Sequence, residues 1–183
     1  MWQTMQVGSR SRYTSRNVEA SWAQVENQYQ RRADLVPNLV ATVKGAAEFE
    51  RDTFVAVTEA RSQVGKVTAE GMESVLRDPG AFARFQQAQG QLGAALSKLI
   101  AVSEAYPDLK ATQGFRDLQV QLEGTENRIA VERMRFNDAA REYNVARQRF
   151  PTVLFVGMLG DRFEDKPYFS AESGAAQAPE VKF

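Results

Sequence analysis

Between Phe115 and Phe150 a large apolar residue stands at every seventh position: Phe115, Leu122, Ile129, Phe136, Tyr143 and Phe150. Six positions at a strict spacing of seven predict one long helix with a single stripe turned toward other helices. Thr112 can cap its start, and Pro151 ends it. A second stripe begins at Val18 and follows a 4-3 spacing to Val64, with 11 of 14 positions apolar. It predicts a first helix starting near Thr14 or Ser15 and stopping at Gly65, roughly 50 residues and about 75 Å long. Pro37 interrupts this pattern, but Leu35, Val36, Leu39 and Val40 keep the stripe in phase. That favours a kink in one rod over a break between two helices.

A short helical turn is expected around Met72 to Leu76, followed by the breaker Asp78-Pro79-Gly80. The next helix runs from Ala81 to about Ala105 on the stripe Phe82, Phe85, Leu92, Leu96, Leu99 and Val102. Its middle is rich in small residues (Ala88, Gly90, Gly93, Ala94, Ala95), which let another helix approach closely. Tyr106-Pro107-Asp108 ends it. Beyond Pro151 come a short apolar piece, Val153 to Leu159, and a Gly/Ala/Pro-rich tail. The expectation is an all-α fold: an elongated antiparallel bundle of three long helices plus short helical segments. Its organisation reads as a loose lead-in (1–14), a bundle domain (15–159) and an extended C-terminal tail (160–183).

Composition narrows the chemistry more than it enlarges it. The 183 residues contain no histidine and no cysteine. This excludes His-based zinc sites, His-dependent nucleophile triads, thiolate metal sites and disulfides. Lys+Arg and Asp+Glu are both 23, so no global basic field attracts nucleic acid. No apolar run reaches the ~20 residues a spanning helix needs. No catalytic residue, metal ligand or cofactor site stands out, and no cofactor is expected.

The candidate residues are therefore polar groups in structural places. Arg32 and Glu50 interrupt the first stripe, and Glu132 lies on a companion stripe of the last helix. They form either a ligand or signalling network or a device that fixes helix register, and the second reading is preferred. Arg31, Asp34, Asn38 and Lys44 surround the proline, where a freed carbonyl could meet a partner or be satisfied locally. Glu123 and Glu126 share a helix face, near Asn127 and Arg128. An interhelical ion-pair and hydrogen-bond set is favoured there over a metal or acid–base pair. The arginines of the last helix, interleaved with Glu132 and Glu142, read as a solvated face that could touch anionic headgroups. Val153 to Leu159, with Phe163, Tyr168 and Phe169, could dip into a membrane surface or bind a partner, but folding back over one end of the bundle is the preferred expectation.

Several motifs in order resemble the LemA family. They are Arg31-Arg32-Ala33-Asp34-Leu35-Val36-Pro37-Asn38-Leu39-Val40, Thr42-Val43-Lys44-Gly45 and Val57-Thr58-Glu59-Ala60-Arg61. Further along stand Ala105 to Lys110 (AYPDLK), Glu123 to Ile129 (EGTENRI), Phe136-Asn137 and Tyr143-Asn144. Pro167-Tyr168-Phe169 and the final Val181-Lys182-Phe183 complete the set. The resemblance implies a long-helix antiparallel bundle and membrane association through one N-terminal transmembrane helix. It carries no catalytic or cofactor residues. The opening MWQTMQVGSRSRYTSR cannot span a bilayer, so the expected anchor is absent from this stretch. The functional expectation is a non-enzymatic, membrane-associated scaffold or protein-interaction module. The alternative is a lipid-surface-binding, self-assembling, membrane-shaping coiled coil, and a homo-oligomer is compatible with both.

Overall fold

The computed structural model describes residues 2–45, 51–69, 72–148 and 165–170, with backbone alone at 2–12 and 72–73. Four long helices and two short ones follow in order: α1 (Trp2–Lys44), α2 (Arg51–Ala69), α3 (Met72–Val75), α4 (Pro79–Ser103), α5 (Pro107–Ala111) and α6 (Gln113–Gln148). Among the described residues there is no strand, as an all-α bundle requires.

The start signals are local: Thr112 caps as read, whereas Asp78, read as part of a breaker, is itself a cap. Asp78 caps α4, accepting from the Gly80 amide at 2.8 Å, with Pro79 in the first turn. The Thr112 hydroxyl accepts from the Phe115 amide at 3.4 Å at the head of α6.

The first predicted rod is two helices. Arg61 Nε donates to the Ala33 carbonyl at 3.3 Å, whereas one straight helix would separate these residues by about 42 Å. Val64 and Thr68 of α2 also line the same crevice as Glu26 and Tyr29 of α1. The chain has therefore doubled back, with α2 antiparallel to α1. Gly45 closes α1, its amide reaching the Ala41 carbonyl at 3.4 Å. The stripe is also weakest just there, with Ala46, Glu50 and Thr53. Phase continuity misled because each arm of a hairpin buries its own face. Pro37, by contrast, sits exposed inside α1. Its missing amide frees the Ala33 carbonyl, and Arg61 supplies the replacement donor.

The lead-in expected over 1–14 is also corrected, because α1 is helical from Trp2. Gly8 and Ser9 each cost at most about 1 kcal/mol of helix propensity, too little to stop an established helix. Glu50, Phe150, Val153 to Leu159, Phe163 and most of the tail lie outside the described residues.

Side-chain pairs set the topology. Trp22 meets Phe136 with ring centres 5.4 Å apart, and Arg32 meets Glu126. Ten residues forward on α1 thus match ten residues back on α6. Trp22 also packs on Phe85 of α4 at 5.2 Å, and Arg32 on Gln89, so α4 runs parallel to α1. The result is an up-down-up-down bundle.

Its core has two parts. An aliphatic cluster holds Val36, Leu39, Val43, Val57, Leu92, Leu96, Leu99 and Phe115. An aromatic cluster holds Trp22, Tyr29, Phe82, Phe85, Phe136 and Phe169. Between them lies a polar layer.

Candidate interaction groove

Arg32, Gln89 and Glu126 come from α1, α4 and α6 and meet in that layer. Each sits one helical turn from both clusters, as Tyr29 and Val36 flank Arg32. Arg32 is 3% exposed and Gln89 4%. The guanidinium donates from one terminal nitrogen to both Glu126 oxygens, at 3.0 and 3.3 Å. The other nitrogen donates to the Gln89 backbone and side-chain oxygens, at 2.9 and 2.6 Å. Tyr29 presents its ring face 5.1 Å from the guanidinium carbon. Arg32 Nε makes no hydrogen bond among the described residues. The Glu126 side chain is 42% exposed, so the ion pair has one dry end and one wet end.

The wet end opens into a groove between α4 and α6 of about 1130 Å³. Arg32 and Glu126 form its floor, with Gly90, Gly93, Ala94 and Asn127 around them. A Cβ on Gly93 would lie 3.5 Å from Arg32, and one on Gly90 would meet nothing within 4 Å. These small residues leave space open instead of filling it. A smaller extension of about 470 Å³ continues past Glu126 toward Arg133, Asn137 and Ser170.

Asp165 to Ser170 form an extended strap across the bundle. The Asn144 side-chain amide donates to the Lys166 carbonyl at 3.0 Å and accepts from its amide at 2.8 Å. Asn137 treats Phe169 in the same way, at 3.0 and 2.8 Å. Seven residues of helix rise about 10.5 Å, close to three residues of extended chain, so both clips engage together. Phe169 is buried against Trp22, Phe82 and Phe136, with Arg133 over its ring at 4.8 Å. Gln86 and Arg133 donate to the Ser170 carbonyl, at 3.2 and 2.8 Å, and Arg147 pairs with Asp165 at 2.7 Å. Burial pushes the Tyr143 phenol above its ordinary 10.0; the nearby Arg147 opposes this and Asp165 adds to it.

The expected fold-back of the aromatic tail thus holds for Phe169, although Tyr168 stays 47% exposed. Asn137→Leu removes one clip and keeps the size. The Phe169 amide is then expected to exchange with deuterium about tenfold faster, for a loss of about 1–2 kcal/mol. Unchanged exchange at Phe169 would show that the clip contributes nothing.

The LemA family profile matches residues 21–183. The chain belongs to the LemA family. A similar protein is the "Magnetosome protein MamQ" of Magnetospirillum gryphiswaldense, 28% identical over 169 residues, covering 82% of this chain and 62% of that protein. Magnetosome proteins MamQ 1 and MamQ 2 of Paramagnetospirillum magneticum are each 27% identical over 171 residues, covering 84% of this chain and 63% of theirs. The chain spans a little under two thirds of the length of these relatives. No described helix is long and apolar enough to cross a membrane.

In this LemA-family bundle, only Arg32 and Glu126 of the eight candidate residues meet. Arg31 is exposed, and exposed Asp34 accepts from Gln30 at 2.8 Å. Asn38 is exposed, its carbonyl taken by Thr42 at 2.8 Å. Glu123 accepts from Gln119 at 3.0 Å, while Asn127 and Arg128 stand exposed. Glu132 pairs with Arg135 within its own helix at 2.7 Å. Sequence reading missed Gln89, hidden in the small-residue run. The roles of Asn137 and Asn144 were missed as well, although an aromatic-Asn pair repeated after seven residues was their visible signal.

Proposed function

We propose that this bundle is a non-catalytic protein-interaction module of a membrane-associated assembly, and that a partner helix docks in the α4/α6 groove. The observation that supports this most is the groove itself, open along the bundle and edged by Gly90, Gly93 and Ala94. Such small residues admit a helix backbone at close range, as they do where helices pack tightly. Gln86, Gln87, Ser97, Gln119 and Asn127 line it with amide and hydroxyl groups suited to a partner's polar edge. Arg32 sets the depth of the groove and carries no chemistry of its own. The membrane setting draws on the family resemblance and on the magnetosome naming of the relatives.

The test is a photo-reactive residue placed at Gln87 in the groove, with a control at exposed Glu59 on α2. In cells, the Gln87 probe is expected to give one discrete cross-linked protein, which a groove-filling Gly90→Phe substitution removes. The same product from Glu59, or a product indifferent to Gly90→Phe, would refute the reading.

A further inference from the structure

Helix α6 carries a second surface, on the side away from the core. Val120, Val131, Met134 and Val145 are 67, 41, 60 and 42% exposed. At 100° per residue the four fall within an arc of about 60°, so they make one stripe about 37 Å long. Their intervals are eleven, three and eleven residues, and the series reads the same in both directions. A patch that must match itself about a two-fold axis needs that palindrome.

We propose that this face docks a second copy of the chain, α6 against α6, antiparallel about an axis between residues 132 and 133. In that register Val120 of one copy lies opposite Val145 of the other, and Val131 opposite Met134. The polar positions agree as well. Asn127 falls opposite Asp138, an amide facing a carboxylate, and Glu123 falls beside Arg141, each pair occurring twice. All four are exposed in the single chain, where Arg141 pairs with Asp138 at 3.1 Å and Glu123 accepts from Gln119 at 3.0 Å, contacts that the dimer pairs extend across the seam. The other edge holds Arg128 and Arg135 beside Glu132 and Glu142, and this balance of charge neither drives nor blocks approach.

A helix about 10–12 Å wide in contact over this length covers roughly 400 Å² per copy. That is about half of a standard interface, so the dimer is weak and reversible. The face and the groove share an edge, since Glu123 and Asn127 line the groove and Met134 and Asp138 line its extension, so a groove partner and a second copy compete there.

The chain lacks cysteine, so single-cysteine variants report contacts cleanly. V120C and V145C, mixed at a concentration near 200 μM and oxidised, are expected to give a 120–145 disulfide dimer. V120C alone should stay monomeric, because its two copies lie about 37 Å apart in this register. In sedimentation equilibrium Glu123→Arg weakens dimerisation about tenfold, Arg141→Glu does the same, and the double swap restores it. Dimers from V120C alone, equal yields of 120–120 and 120–145 products, or a native chain monomeric at millimolar concentration would each overturn the proposal. Every substitution lies on the exposed face, and unchanged circular dichroism confirms that the fold is kept.

Discussion

Phe136→Ala is expected to destabilise the bundle by about 3–5 kcal/mol, read as a lower denaturant midpoint at an unchanged slope. Phe136 is fully buried, with ring centres 5.4 Å from Trp22, 6.1 Å from Phe82 and 5.4 Å from Phe169. Those rings belong to α1, α4 and the strap. Removing the central ring leaves a cavity on three sides, which rigid neighbours close only in part. The strap should respond first, since Phe169 loses one wall of its pocket. Faster amide exchange at Phe169, ahead of global unfolding, would identify the aromatic cluster as the anchor of the strap. A loss below about 1 kcal/mol would mean that the cluster collapses without penalty.

The second large effect separates two meanings of Arg32. Gln89→Leu with Glu126→Leu leaves the guanidinium buried with only the Gln89 backbone oxygen as acceptor. The expected cost is about 3 kcal/mol, the lower end for a buried charge stripped of partners, because groove water reaches the Glu126 side. Arg32→Met with Gln89→Leu removes the charge and its buried acceptor together. That variant is expected to match the native stability within about 1 kcal/mol or to exceed it. If Arg32 only fixes register, the second variant keeps its fold and its cross-linked partner, and loses at most uniqueness of pairing. Native stability with the partner lost would assign Arg32 a direct role in recognition.

Much of this architecture was legible because helices advertise themselves by period. The stripe of α6 at a spacing of seven, the break at Asp78-Pro79-Gly80, and Thr112 at the head of α6 all act over a few residues. The α1/α2 hairpin was not legible, since a reversal that keeps the buried face in phase leaves the pattern intact. Pro37 drew attention as the breaker, yet an exposed proline is tolerated once Arg61 satisfies the freed carbonyl. For the site, Arg32 showed as a charge on an apolar stripe, and Glu126 as part of a polar set. Their meeting with Gln89 depends on register across 57 and 94 residues of sequence, which no local pattern encodes. Asn137 and Asn144 were visible as residues. Their work depends on where a distant extended segment comes to lie.

The charged belt at the middle of the molecule gives it a waist. Above and below it, aliphatic and ring-rich lobes cohere separately, joined by α1, α4 and α6, which run through both. Such a division lets one lobe loosen while its neighbour stays shut. The half that grips residues 165–170 can therefore let go without the rest of the bundle coming apart.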